Sequence, residues 1–212
     1  DLLVRESTAE IQFGHVRRPA HRNTSWDRAR FETVMHRWVD VSEPGFGAAF
    51  LNDSKYGYDL KGSTMRLTLL KSPTYPWPEA DQGEHRFRYA LRIHDGLAED
   101  DIPGDAEAFN LPLRLVAGTG ASEVKGSSLL RLEGAGVTLE ALKLGEDGEG
   151  IVARLWETHG RATEAVLHLP PGTVSADLVN LLERAPTPLE IVDGRVRLAF
   201  APFQILTIRL GH

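Results

Sequence analysis

Apolar and polar residues alternate with a period of two along most of the chain, which is the pattern of a β-strand with one buried face. The clearest case is residues 84–94, which we interpret as a half-buried strand with a basic outer face. Its predicted inward positions are Phe87, Tyr89, Leu91 and Ile93. Shorter alternating segments occur at 66–69, 138–144, 152–156, 166–169, 195–200 and 204–210. The pattern as a whole predicts about a dozen strands.

Turn signals that contain glycine separate these strands. Asp193-Gly194 is the clearest two-residue hairpin, because Gly supplies the positive φ that such turns require. Helix is predicted to be scarce, since Pro and Gly interrupt nearly every stretch long enough to form one. Residues 98–109 fit either a short helix or a linker, and residues 174–184 are interpreted as a strand. The predicted fold class is therefore all-β with very little helix: antiparallel β-sandwich units, a large sandwich portion followed by a smaller immunoglobulin-like sandwich.

The chain is expected to contain two units. Residues 1–116 form a β-sandwich unit with long loops, residues 117–128 are a polar, Gly-rich junction, and residues 129–212 form a smaller C-terminal β-sandwich unit. The chain starts at Asp1 without Met and runs directly into the strand-like Leu2-Leu3-Val4. We therefore expect the first unit to begin part-way through a domain of a longer protein.

Composition excludes several functional classes. The 212 residues carry 24 Lys and Arg against 30 Asp and Glu, a net charge of -6, so the surplus of cations that a nucleic-acid partner requires is absent. The absence of Cys excludes disulfides, Cys-ligated zinc and a thiol nucleophile, and it favours a cytoplasmic location. No apolar run approaches the roughly 18 residues of a membrane span, so no membrane partner is predicted.

Two loops concentrate residues that could recognise a ligand. The stretch from 51 to 59 mixes hydrogen-bonding groups with aromatic rings, the combination that binds a sugar ring and its hydroxyl groups. The alternative is a polar hairpin whose tyrosines pack on the sheet. The candidate contacts from this loop are Asn52, Asp53, Lys55, Tyr56, Tyr58 and Asp59.

The second loop, residues 71–82, is stiffened by proline and enters the strand predicted at 84–94. Its candidate contacts are Lys71, Thr74, Tyr75, Asp81 and Gln82. Glu79, Asp81 and Glu84 could supply an acid/base pair, but acidic residues in an exposed loop are usually solvated, so no catalytic residue is predicted in this chain.

Histidine spacing does not indicate a metal site. His36 and Asp40 share one face of a strand but lie roughly 13 Å apart along it, too far for both to bind one ion. No metal ligand is therefore predicted among these residues.

Several residue strings, in order along the chain, resemble the C-terminal β region of α-mannosidases of glycoside hydrolase family 38, especially the cytosolic and bacterial type. The strings are Arg30-Phe31-Glu32, His36-Arg37-Trp38-Val39-Asp40-Val41-Ser42-Glu43, Gly45-Phe46-Gly47, Leu51-Asn52-Asp53-Ser54-Lys55-Tyr56-Gly57-Tyr58-Asp59, Leu69-Leu70-Lys71-Ser72-Pro73-Thr74, Glu79-Ala80-Asp81-Gln82-Gly83-Glu84-His85, Asn180-Leu181-Leu182-Glu183 and Pro202-Phe203-Gln204-Ile205-Leu206-Thr207. Such a series is far harder to obtain by chance than one short motif.

The resemblance implies a parent α-mannosidase that hydrolyses terminal α-mannosyl residues by a retaining mechanism. In that family a metal-dependent N-terminal α/β domain holds the zinc or other divalent metal, the aspartate nucleophile and the acid/base aspartate. This chain, which carries none of that part, is expected to bind no cofactor and to be inactive alone. It is expected to pack against the N-terminal catalytic domain of the same polypeptide and lend its two loops to the cleft that holds the oligosaccharide or mannoside.

One residue departs from the family pattern. An Arg commonly precedes Ser-Pro-Thr in the family, whereas this chain has Lys71. A Lys cannot make the planar two-pronged contact of an Arg, so an electrostatic contact to substrate at this position is in question.

Two other functional classes stay open. An independent carbohydrate-binding module would display Tyr56, Tyr58, Tyr75 and Trp77 on a free surface, and a scaffold or homo-oligomerisation domain would use an apolar patch as a symmetric interface. An accessory domain would instead leave an apolar patch complementary to the catalytic part. Our hypothesis is that apolar surface is exposed around the first strands, and a structure that covers that face with its own residues would contradict it.

Overall fold

The computed structural model describes residues 2–95, 98–117 and 128–211. The chain divides into two compact units, Asp1–Arg114 and Leu115–His212. The predicted junction at 117–128 lies almost wholly outside the described residues and stays a prediction. Sixteen antiparallel strands and two helices make up the regular secondary structure of the described residues, which confirms the predicted all-β class. No helix among the described residues is long and apolar enough to cross a membrane.

Unit 1 is built on one five-stranded antiparallel sheet in the order β2-β1-β4-β5-β8. A smaller three-stranded sheet has the order β3-β6-β7. The strands are β1 (Glu6–Ile11), β2 (Gly14–Pro19), β3 (Thr33–Val34), β4 (Trp38–Glu43), β5 (Phe46–Asn52), β6 (Gly57–Lys61), β7 (Thr64–Leu67) and β8 (Tyr89–His94), and the helices are α1 (Ser25–Ala29) and α2 (Ala98–Asn110).

The two faces of the large sheet bury different cores. On one face, Ala9 and Val39 pack with Met35 and with Tyr58 of β6. On the other face, a second cluster forms between β4, β5 and α2, and it contains Trp38, Ala49, Leu51, Ile102 and Ala106. The segment that the sequence left as a helix or a linker is therefore a helix, because residues four apart along α2 share one face and bury it against the sheet.

Strand β8 corrects the interpretation of residues 84–94. Only Tyr89–His94 form the strand, and the predicted inward positions Tyr89, Leu91 and Ile93 are 56%, 61% and 46% exposed. Helix α2 covers the opposite face instead, where Ala90 packs against the α2 cluster and Arg92 Nε donates to Asp105 Oδ2 at 2.7 Å. The alternation was correct, but the inward and outward faces were exchanged.

The location of exposed apolar surface also differs from the hypothesis. In β1, residues Ser7 to Glu10 are all buried. Around the first strands, only Leu3 ahead of β1 and Phe13 in the β1–β2 turn are large exposed apolar residues, at 65% and 39%, among the residues that the structure describes. More exposed apolar side chains lie on β8 and at Phe46 of the neighbouring strand, which is 42% exposed. Because β8 is the last strand of the sheet, one of its edges has no strand partner among the described residues.

Unit 2 is a β-sandwich of a five-stranded sheet, β10-β11-β16-β13-β14, and a three-stranded sheet, β15-β12-β9. The strands are β9 (Arg131–Glu133), β10 (Val137–Leu144), β11 (Ile151–Glu157), β12 (Thr163–His168), β13 (Ser175–Val179), β14 (Thr187–Pro188), β15 (Arg195–Phe200) and β16 (Ile205–Gly211). Both sheets contribute to one core, with Leu155 and Ile208 from the first and Leu167 and Val196 from the second.

One local prediction is confirmed in unit 2, and a second is confirmed in part. Val192 and Arg195 exchange backbone hydrogen bonds around Asp193 and Gly194, whose φ values of 49° and 70° are those of a tight hairpin turn. In the segment 174–184, interpreted as a strand, Ser175–Val179 form strand β13, whereas residues 180–184 form a turn.

Candidate functional site

An open groove in unit 1 brings together residues from both predicted loops. It has a volume of about 660 Å³, and four of the predicted residues line it: Lys55, Tyr56, Lys71 and Asp81. Glu32 and Thr68, which the candidate list omitted, line it as well. Glu32 belongs to one of the residue strings that carry the family resemblance, so the sequence did offer a reason to select it. Nothing in the sequence distinguished Thr68 as a candidate.

Asn52 shapes the first loop from the inside. The side chain is fully buried, its Nδ2 donates to the His36 carbonyl at 2.6 Å, and its Oδ1 accepts from the Lys55 backbone N–H at 2.7 Å. The Asn52 carbonyl accepts from Asn110 Nδ2 at 3.1 Å. Asn52 therefore fixes the path of the loop that carries Lys55 and Tyr56, and its side chain does not face solvent.

Asp53 ties the first loop to the segment that precedes β8. Its carboxylate accepts from the Arg88 backbone N–H at 2.9 Å and from Arg88 Nε at 3.0 Å. The hydrogen bond from the Arg88 backbone N–H is the main reason that the pKa of Asp53 is lowered. Asp53 is therefore an ionised anchor for the loop at neutral pH.

Glu32 and Lys71 form a charged pair on the groove wall. Lys71 Nζ lies 2.8 Å from Glu32 Oε2, and Thr68 Oγ1 donates to Glu32 Oε1 at 2.6 Å. The hydrogen bond from Lys71, followed by that from Thr68, lowers the pKa of Glu32. Glu32 is therefore ionised at neutral pH and is unsuited to be a general acid, while Lys71 shares its charge with a carboxylate of the same unit.

Asp81 organises the second loop. Its carboxylate accepts from the Ser72 backbone N–H at 2.9 Å, and its carbonyl lies 2.8 Å from His85 Nε2. Tyr75 projects from the same loop with 88% of its surface exposed, and Thr74 and Gln82 are also exposed. These three predicted residues do not line the groove but are accessible from solution.

Tyr58 and Asp59 lie away from the groove. Tyr58 is 1% exposed, and its hydroxyl is 3.0 Å from Ser7 Oγ. Asp59 pairs with Arg22 and, at 2.7 Å, with Arg66. We assign both residues to the internal structure of unit 1, because their polar groups bind other parts of the same fold.

The wall of the groove presents aromatic, cationic and hydroxyl groups. Tyr56 is 51% exposed and supplies an aromatic face beside the ammonium of Lys71 and the hydroxyl of Thr68. Both carboxylates on the wall are bonded to groups of this unit. Among the described residues, no group of three or more His, Asp or Glu side chains is placed to hold a metal ion.

Two family models match the chain. The model described as "Glycosyl hydrolases family 38 C-terminal domain" matches residues 1–79, and the "Glycosyl hydrolases family 38 C-terminal beta sandwich domain" matches residues 136–208. The first match covers Glu32, the groove residues of the first loop and Lys71.

Curated relatives extend the similarity to nearly the whole chain. The chain is 42% identical over 212 residues to "Alpha-mannosidase 2C1" of Homo sapiens, a match that covers 97% of this chain and 20% of that protein. It is 33% identical over 221 residues to "Alpha-mannosidase G" of Dictyostelium discoideum, covering 98% of this chain and 20% of that protein. The chain thus spans about a fifth of the length of these relatives.

A solved structure shares the fold. The crystal structure of an alpha-mannosidase from Enterococcus faecalis V583 superposes with a TM-score of 0.78 at 23% identity, and the match covers 98% of this chain and 24% of that one.

Proposed function

Since the chain belongs to glycosyl hydrolase family 38, as part of its C-terminal region, we propose that it is the accessory β portion of an α-mannosidase. In this proposal the parent protein hydrolyses terminal α-mannosyl residues by a retaining mechanism. The present chain packs against the catalytic domain of the same polypeptide and completes the cleft. The relatives named alpha-mannosidase, which are about five times longer than the chain, support this assignment.

The observation that carries the proposal is the apolar face of β8. Tyr89, Leu91 and Ile93 all point to one side of the sheet, and Phe46 of β5 lies on that side as well. Exposed apolar stripes on an edge strand are unusual in an isolated domain because they favour association. We therefore assign this face as the surface that the upstream part of the same polypeptide covers.

The groove supports a contribution to substrate binding. Tyr56 and Thr68 offer an aromatic face and a hydroxyl, and Lys71 adds a cation. In our proposal these groups contact the sugar from the accessory side of the cleft, while the catalytic domain supplies the nucleophile, the acid/base carboxylate and the zinc or other divalent ion. The described residues of this chain include no group of three or more His, Asp or Glu side chains that could hold such an ion.

The test is hydrolysis of an aryl α-mannoside with zinc or cobalt present. We expect the 212-residue chain alone to show no hydrolysis. The separately expressed upstream part should gain hydrolytic activity when the two are mixed. Turnover by the chain alone would overturn the proposal, and so would an upstream part whose activity the chain does not change.

A carbohydrate-binding module is the second candidate. The exposed rings of Tyr75 and Trp77, which are 88% and 63% exposed, favour it, whereas the burial of Tyr58 removes one of the four rings it would use. Titration of the chain with mannose oligosaccharides discriminates the two, because a module binds sugar by itself and an accessory portion binds sugar only in the assembled enzyme.

Our proposal of an accessory α-mannosidase portion also includes a cytoplasmic location and a homo-oligomeric parent protein.

A further inference from the structure

A second, smaller pocket in unit 1 is lined by residues of β1, β2 and β6 and of the segment that precedes β3. Its volume is about 90 Å³. Ser7, Arg18 and Tyr58 line it from the strands, and the segment that precedes β3 closes it with Arg22, Arg30 and Asp27. Apart from Thr33, none of its lining residues lines the groove.

Arg18 of β2 lines the pocket and contacts Tyr58. Its Nη1 donates to the Tyr58 hydroxyl at 3.1 Å, and its guanidinium carbon lies 5.8 Å from the centre of the Tyr58 ring. Among the described residues, no carboxylate lies within salt-bridge distance of Arg18. A guanidinium has five N–H donors, so most of the donors of this half-buried side chain are available to a ligand.

The charge of the pocket wall is also unbalanced. Three arginines line the pocket with one aspartate, Asp27. Arg30 contacts Asp27 at 3.2 Å, and Arg22 pairs with Asp59, whose other oxygen binds Arg66. The two acidic groups are therefore shared among more cations than they can neutralise, and Arg18 is left without an anionic partner.

We propose that this pocket binds a small tetrahedral oxyanion, either free or as a phosphate ester, with Arg18 as its principal donor. Guanidinium groups match the oxygens of phosphate in a two-pronged geometry and form strong charge-assisted hydrogen bonds with them. The hydroxyls of Ser7 and Tyr58, 3.0 Å apart, are further hydrogen-bonding groups on the wall. The volume corresponds to several water-sized positions at roughly 10–15 Å³ each, enough for a five-atom anion.

The inference stands on the geometry of unit 1 alone and does not depend on the proposed function. An anion here would connect β2 to the segment that precedes β3, and that segment leads directly to Glu32 in the groove. Binding of the anion would thus stabilise the backbone that carries one wall of the groove, without any contact between the anion and a ligand in the groove.

The test is a titration of the 212-residue chain with inorganic phosphate, followed by NMR at constant ionic strength. We expect saturable shifts of the Arg18 side-chain Nε–H and of amides around the pocket. Chloride at the same ionic strength removes simple screening as an explanation. No saturable shift, or equal shifts with chloride, would overturn the proposal.

Three variants locate the site. Arg18→Gln should weaken phosphate binding by at least about tenfold, because it removes both the positive charge and the two-pronged hydrogen bonding of the guanidinium. Arg18→Lys should give a smaller loss of affinity, because it keeps the positive charge. The matched control is Arg86→Gln, which makes the same change in net charge at a side chain that is 87% exposed and pairs with Glu84. Equal affinity of Arg18→Gln and Arg86→Gln would overturn the assignment of Arg18.

Folding and ligand source are controlled separately. If Arg18→Gln does not fold, Arg30→Gln replaces it, since Arg30 lines the same pocket, and unchanged affinity in that variant contradicts the proposal. A hexose 6-phosphate is then compared with inorganic phosphate and with the unphosphorylated hexose. Tighter binding of the ester than of inorganic phosphate identifies a phosphorylated sugar as the ligand, and equal binding of the two identifies the free anion. If the unphosphorylated hexose binds as tightly as the ester, the pocket is not an oxyanion site.

Discussion

Units 1 and 2 bury their apolar residues in different ways. Unit 2 has one core cluster of ten buried residues to which both of its sheets contribute. Unit 1 has two smaller clusters, of five and four buried residues, on opposite faces of one sheet. The exposed side chains of Tyr89, Leu91 and Ile93 on β8 belong to neither. Unit 2 therefore closes its sandwich with its own strands, whereas the described residues of unit 1 leave part of one sheet face uncovered.

The two units also differ in their buried polar groups. In unit 1, Asp40 and His94 bury an ion pair or hydrogen bond of 2.8 Å, and Glu10 accepts from the backbone N–H and the side chain of Arg37. In unit 2, the fully buried Glu157 accepts from three backbone N–H groups of residues 159–161 and from that of Phe203. The partners of Glu157 are thus all backbone amides, whereas Asp40 and Glu10 of unit 1 also bind side chains.

The largest expected effect is on the closed core of unit 2. Leu155 is fully buried there, so Leu155→Ala should lower the free energy of unfolding of that unit by roughly 2–5 kcal/mol. Urea unfolding followed through assigned amide signals measures each unit separately. The control Leu182→Ala, at a side chain 72% exposed, should change the free energy by less than about 0.5 kcal/mol. Equal losses in both variants would break the description of unit 2 as a closed sandwich.

A smaller effect is expected where side chains stabilise unit 1. A Cβ at Gly47 would overlap the ring of His94, and that ring is bonded to Asp40 and cannot move freely. Gly47→Ala should therefore cost about 1–3 kcal/mol of unfolding free energy, as overpacking does. Gly104→Ala is the control, because nothing lies within 4 Å of its added Cβ. That change should stabilise α2 by about 0.4–1 kcal/mol, and the opposite order in thermal melts would contradict the packing around His94.

The pH dependence of unit 2 tests Glu183. A hydrogen bond from Lys143, followed by one from the Glu146 backbone N–H, lowers the pKa of Glu183 below its usual value of 4.5. The carboxylate therefore stabilises the folded state above that value, and the contribution disappears as the pH falls through the lowered pKa. The difference in urea midpoint between the chain and Glu183→Gln should shrink toward zero as the pH falls from about 6 to about 3. A difference that is independent of pH would contradict the ion pair with Lys143.

The sequence predicted strands well where alternation and burial agree. In β15, Val196, Leu198 and Phe200 are buried and the residues between them are exposed, so the period of two gave the correct inward face. In β8 the same kind of pattern gave the wrong face, because periodicity defines two faces but not which of them another element will cover. The covering element is α2, whose sequence fitted a helix or a linker equally well.

The candidate site was predicted only in part for a related reason. The composition of the two loops identified Lys55, Tyr56, Lys71 and Asp81, which do line one groove. The same composition included Asn52 and Tyr58, which turn inward, because a polar side chain satisfied by nearby backbone or by a buried hydroxyl gives no distinct signal. Glu32 was not selected because its partners, Thr68 and Lys71, are distant in sequence.

The smallest effect on stability is expected at the uncovered face of unit 1. Leu91 is 61% exposed on an edge strand, where a Lys side chain is well tolerated, so Leu91→Lys should change the free energy of unfolding by less than about 0.5 kcal/mol. If the upstream part of the polypeptide covers this face, the same substitution should abolish the gain of aryl α-mannoside hydrolysis on mixing, because a buried, unpaired ammonium would oppose docking. Leu182→Lys, a matched change at an exposed leucine of unit 2, should leave that gain intact. If a folded Leu91→Lys chain restores hydrolysis fully on mixing, the upstream part does not dock on the face of β8.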